Sequence, residues 1–149
     1  MSEYKQIMIN YLISHNLLSF ATVDENGNPF VRSVEYANDG PIIYFLTDGK
    51  SNKIQHIKNN SNVAFTVDED LADWSKIQGI QMRGKATIVV DEEEKGKALE
   101  MLLSKFPQFA GMSSEGVEAS IVKIEPTSGV FIDNPSGFGT RYEVNYGDN

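Results

Sequence analysis

Between Ile80 and Val90 the chain alternates: Ile80, Met82, Gly84, Ala86, Ile88 and Val90 fall on one face of an extended segment, and Gln81, Arg83, Lys85 and Thr87 on the other. That is a long, half-solvated strand. Gly84 inside it marks a bend of the kind a barrel needs at a corner. The rest of the chain supplies neighbours for it. "LLSFATV" (17–23), the turn "DENGNP", and "FVRSVEYA" (30–37) read as strand, turn, strand, and "IIYFLT" (42–47) follows the punctuation "NDGP" as a third strand of an expected meander. "NVAFTV" (62–67) is a fourth. "EASIVKIEP" and "SGVFID" supply the last two, and the Gly- and Asn-rich tail 134–149 carries no clear assignment.

Three segments read as helices. From Glu3 to about His15, Ile7, Met8, Tyr11 and Leu12 recur at helical spacing; from near Ser51, Ile54 and Ile57 anchor a short crossover ending at "NN"; after Asp91, the stripe Ala98, Leu99, Leu102, Leu103 and Phe106 runs to Pro107. The fold class expected is therefore α+β: a closed or nearly closed, mostly antiparallel β-barrel of six to seven strands with peripheral helices, in a single domain over 1–149.

Composition narrows the function. With 13 Lys plus Arg against 21 Asp plus Glu, a net charge of -8 argues against a nucleic-acid partner, so any anion site has to be local. The chain has no cysteine, so redox chemistry would need a bound cofactor. Two histidines, His15 and His56, with no cysteine argue against a transition-metal site, and neither is given a role; His56, three residues after Lys53, is read on the exposed face of its helix. No apolar run is long enough for a membrane span, and the N-terminal stretch has neither a basic start nor a small-residue cleavage site, which leads to the expectation of a cytoplasmic protein. Trp74 and Tyr142 are candidates for stacking on a planar ligand, or for ordinary packing.

Two features ask for an anion. Lys50 and Lys53 stand at the start of the helix after Ser51, where a cation opposes the helix dipole by roughly 0.3–1 kcal/mol unless a bound anion reverses the sign. Asp48 nearby offers an ordinary surface explanation. Arg32 shares a strand face with Phe30, Val34 and Tyr36, and needs either a distant carboxylate or a ligand phosphate. No Gly-x-Ser-x-Gly turn, Gly-x-Gly-x-x-Gly loop or Walker loop is present to suggest a hydrolase or a nucleotide fold.

The stretch "VRSVEYANDGPIIYFLTDGKSNKIQHIKNNSNVAFTV", followed by "IQMRGKATIV", resembles the FMN-binding split-barrel family, the pyridoxamine 5'-phosphate oxidase-like group that includes nitroimidazole-resistance proteins. The resemblance spans roughly residues 5 to 132, and it implies that the mostly antiparallel barrel of six to seven strands is a split β-barrel. It implies that Arg32, Asn52 and Lys53 hold the FMN phosphate, with Thr47 and Ser51 adding hydroxyl contacts and Lys50 beside them. It further implies that the Ser33, Val34, Glu35 and Tyr36 backbone runs along the isoalloxazine ring, with Leu46 at the end of strand three. A homodimer with FMN at its interface is implied too, in which Gln81 and Arg83 reach the partner's flavin. The activity this suggests is a flavin-dependent oxidoreductase reducing a small acceptor, such as a nitroaromatic compound, with reduced nicotinamide as donor. The alternatives are a flavin-binding or stress-associated protein without turnover, and a split barrel that binds heme or a deazaflavin. The chain departs from the oxidases in its tail, where Arg141 stands alone in place of a Trp and paired Arg, and at Gly79, where they place Gln. Leu46 stands where the nitroimidazole-resistance proteins tend to place His.

Overall fold

The computed structural model describes residues 3–111 and 118–147. Helix α1 (Glu3–Ser14) leads into β1 (Leu17–Val23) and β2 (Pro29–Glu35), then a short β3 (Ala37–Asp39), β4 (Ile42–Asp48), α2 (Asn52–Asn59), β5 (Asn62–Val67), β6 (Gln78–Ile88), α3 (Glu92–Lys105), β7 (Ala119–Asp133) and β8 (Arg141–Asn145). All eight strands belong to one antiparallel sheet, ordered β2-β1-β5-β6-β7-β4-β3, with β8 also on β7. The sheet curls around a core built on Phe20, Phe45, Phe65, Ile124 and Phe131, all nearly fully buried. This is the expected α+β split barrel.

The β1–β2 turn forms for a local reason. Asp24 accepts from the backbone N–H groups of Asn26 and Asn28, and Gly27 takes φ 83°, a conformation that glycine alone adopts freely. The expected meander does not follow it. The strand read as 30–37 breaks at Tyr36, whose N–H donates to Asn16 O and whose hydroxyl donates to Leu12 O at 2.7 Å inside the core. Burying that ring redirects the chain, and β4 joins the far side of the sheet, paired to β7 and β3 rather than β2. Curling then brings β2 and β4 together again, as a seam without ladder hydrogen bonds.

The long alternating strand is β6, and its bend is real: the β6–β7 register shifts between Arg83 and Gly84. A Cβ on Gly84 would lie 2.6 Å from the Glu125 carbonyl oxygen. The shift also corrects the reading of two final strands, because β7 runs unbroken through Pro126, with Thr127 unpaired in the β6 register and its hydroxyl donating to Arg83 O. The alternation ends early: β6 stops at Ile88, Val89 turns inward to donate its N–H to Ile121 O, and Val90 is exposed. Helix α3 is capped by Asp91, which accepts from Glu94 N–H, but its buried stripe is narrower than expected, with Ala98, Leu102 and Phe106 inside and Leu99 and Leu103 exposed. The tail pairs as β8 on β7, and its last two residues, 148 and 149, lie outside the described residues. No described helix is long and apolar enough to cross a membrane.

Candidate functional site

At the seam, β2 and β4 bound a cleft of about 440 Å³ whose lining includes Ser33, Val34, Glu35, Leu46, Thr47 and Lys53. That size is ordinary for a small-ligand pocket. Six of the residues expected from the sequence thus converge on one place. Leu17, Asp48, Phe109 and Ala119 complete the wall; they come from β1, the end of β4, the turn after α3 and the start of β7, and no short motif links them.

Arg32 stands beside this wall. Its partner across the β1–β2 ladder is Phe20, so the guanidinium lies over that ring at 5.8 Å, and Nη1 donates to Thr22 Oγ1 at 2.7 Å and to Phe20 O at 3.3 Å. Among the described residues no carboxylate pairs with it, and Nε and Nη2 have no protein acceptor. Burial lowers its pKa, although a guanidinium keeps its proton throughout the physiological range. Lys53 lies close enough to feel it: burial first, then the Arg32 charge, lowers the lysine pKa, while Asp48 pulls it up. Two cations held together, both partly desolvated, are stabilised by an anion between them.

The start of α2 adds donors. Ser51 occupies the N-cap position with extended backbone, as expected, but its side chain makes no capping hydrogen bond and instead lies 3.4 Å from Thr47 Oγ1. Among the described residues, the Asn52 and Lys53 N–H groups have no acceptor. Lys50 is exposed, and its own N–H donates to Asp48 Oδ1. A phosphomonoester fits this donor set: a guanidinium fork, an ammonium, two hydroxyls and an open helix N-terminus.

The remaining candidates lie elsewhere. The Tyr36 side chain is in the core. Gln81 and Arg83 are exposed on the outer face of β6, where Arg83, Lys85, Asn62, Ser128 and Asn145 border a larger cleft of about 830 Å³. Size does not make that cleft the better site: Arg83 and Lys85 there also lack an ion-pair partner among the described residues, but it is at the seam that two partly desolvated cations meet an open helix end. Tyr142 stacks on Tyr4 at 4.8 Å and is packing, whereas Trp74 is exposed away from both clefts. His56 corrects the sequence reading outright: it is buried under α2, with Nδ1 2.7 Å from Thr22 Oγ1 and its ring 5.0 Å from that of Phe30. His15 Nε2 contacts Glu69 at 3.2 Å and its ring packs on Tyr11.

A curled antiparallel sheet with its donor-lined cleft at an open seam defines a split barrel. The chain belongs to the pyridoxamine 5'-phosphate oxidase family, whose model matches residues 7–131. It is similar to general stress protein 26 of Bacillus subtilis, with 30% identity over 124 residues, covering 83% of this chain and 84% of that one. Among solved structures, its fold is similar to HutZ, the heme storage protein of Vibrio cholerae, with TM-score 0.70, 16% identity and coverage of 88% of this chain and 93% of that one. It is also similar in fold to ChuZ of Campylobacter jejuni, with TM-score 0.76, 18% identity and coverage of 98% and 61%.

Proposed function

We propose that the seam cleft binds FMN and that the protein is a flavin-dependent oxidoreductase acting on a small acceptor, for which nitroaromatic compounds are the first class to test. The observation that carries this reading is the meeting of Arg32 and Lys53, neither of them in an ion pair among the described residues, with the open end of α2, beside a cleft bordered by Ser33 to Glu35. Arg32, Asn52 and Lys53 hold the phosphate, Thr47 and Ser51 add hydroxyls, and the backbone of Ser33 to Tyr36 runs beside the ring system. When bound, FMN supplies hydride acceptance from a reduced nicotinamide and electron delivery to the acceptor. The chain's part is to neutralise the phosphate, orient the ring against β2 and exclude water with Leu17, Val34, Leu46 and Phe109. Gln81 and Arg83, on the outer face of β6, serve the cleft of a second copy in a homodimer.

The relationship to a general stress protein supports a second reading in which flavin is bound without turnover. Apart from Lys53, the cleft lining carries two titratable groups among the described residues, Glu35 and Asp48. Steady-state oxidation of NADH and NADPH, with and without nitroaromatic acceptors, separates the two: acceptor-dependent consumption supports the oxidoreductase, and none supports the binding protein. Heme fits the cleft poorly, because neither His15 nor His56 lines it and both side chains are engaged elsewhere.

A further inference from the structure

The cation on which the proposed phosphate site depends is held by two residues outside the cleft lining. Arg32 Nη1 donates to Thr22 Oγ1 at 2.7 Å, and the same oxygen lies 2.7 Å from His56 Nδ1. Thr22 is 1% exposed and His56 8%, so bulk water is a poor substitute for either partner. A hydroxyl has one proton and two lone pairs. Arg32 occupies a lone pair, and among the described residues the only acceptor for the Thr22 proton is His56 Nδ1. Were Nδ1 to carry a proton and donate, the buried hydroxyl proton would be left without an acceptor, which is unfavourable. The geometry therefore selects the tautomer with the histidine proton on Nε2.

We infer that Thr22 and His56 are positioning residues for Arg32: His56 Nδ1 accepts the Thr22 proton, which fixes a Thr22 lone pair on Arg32 Nη1 and leaves Nε and Nη2 for an anion. The inference rests on the phosphate reading of the cleft. The chain of contacts ties β1, β2 and α2 into one unit, since Thr22 is on β1, Arg32 on β2, and both His56 and Lys53 on α2. The Phe30 ring packs beside His56 and restrains the imidazole. Neither Thr22 nor His56 touches the anion; each sets where the guanidinium stands.

Two measurements on the full chain test this. In long-range proton–nitrogen spectra of the labelled protein without FMN, His56 is expected as the neutral Nε2–H tautomer, and a proton resident on Nδ1 would overturn the inference. In FMN titrations, Thr22→Val is expected to weaken binding about tenfold, as loss of one charge-assisted contact should. Thr22→Ser, which keeps the hydroxyl, restores most of that loss. His56→Phe keeps a ring beside Phe30, removes the acceptor, and weakens binding in the same direction. Melting temperatures identify any variant that fails to fold, and His56→Phe then carries the test if Thr22→Val is lost. Wild-type affinity in a folded Thr22→Val or His56→Phe variant, with Arg32→Ala impaired, would overturn the positioning role alone. Wild-type affinity in Arg32→Ala would instead overturn the phosphate reading, and with it the role assigned here.

Discussion

Arg32 and Lys53 carry the phosphate reading at the scale of single residues, and each is expected to contribute by charge-assisted hydrogen bonds. Arg32→Ala and Lys53→Ala should each weaken FMN binding by about 1–3 kcal/mol, measured by calorimetric titration. Their signals were legible in the sequence for different reasons. Arg32 announced itself by sharing a strand face with apolar residues, and Lys53 by standing in the first turn of a helix. The Thr22–His56 pair was not legible, because it depends on α2 lying across the inner face of β1, a packing that no spacing within either element reveals. Lys105 makes a separate residue-scale case. Its ammonium donates to the carbonyls of Leu12 and His15 near the end of α1 and lies 4.2 Å from the centre of the Tyr36 ring, while burial lowers its pKa to about 8. An unfolded chain holds this proton up to the ordinary lysine value near 10.5, so between those two values the unfolded state binds more protons and folding stability rises with pH. The difference in unfolding free energy between wild type and Lys105→Met should rise with pH across that window; a flat difference would contradict the assignment.

Elements were legible where the pattern was local and misread where tertiary packing intervened. The alternation of β6, the Asp91 cap and the Asn-Gly turn before β2 are all written in a few adjacent residues. The break at Tyr36 and the continuity of β7 through Pro126 are not, since the first depends on a core pocket beneath α1 and the second on a bulge against β6. Gly84 connects the two kinds. The sequence marks it as a bend, and the structure shows why no side chain fits, with the Glu125 carbonyl 2.6 Å from a Cβ position. Gly84→Ala should destabilise the fold by about 1–3 kcal/mol in urea unfolding, by overpacking the β6–β7 crossing. Unchanged stability would mean that the two strands separate there at little cost.

At the scale of the whole molecule, the proposed function rests on the seam between β2 and β4. Eight strands curl far enough to bury a core, yet β2 and β4 meet without hydrogen bonds, and the opening between them holds the cleft. An α+β barrel could be read from strand count and turn spacing, and its split form from the family resemblance; the strand order could not, because β4 pairs with β7, far along the chain. In the dimeric reading, Arg83→Glu on the outer face of β6 should lower FMN affinity although Arg83 is absent from the seam cleft of its own chain. Light scattering should find two chains per particle, and a monomer with full FMN affinity would contradict that arrangement. The central claim is that the seam cleft is a flavin phosphate site. It is tested most directly by adding FMN to the purified protein, removing the unbound excess, and recording the visible absorption spectrum of wild type beside the Arg32→Ala, Lys53→Ala double variant. The account predicts one retained FMN per wild-type chain and little in the double variant. A wild-type protein that releases all of its FMN, or a double variant that keeps it, would contradict the account.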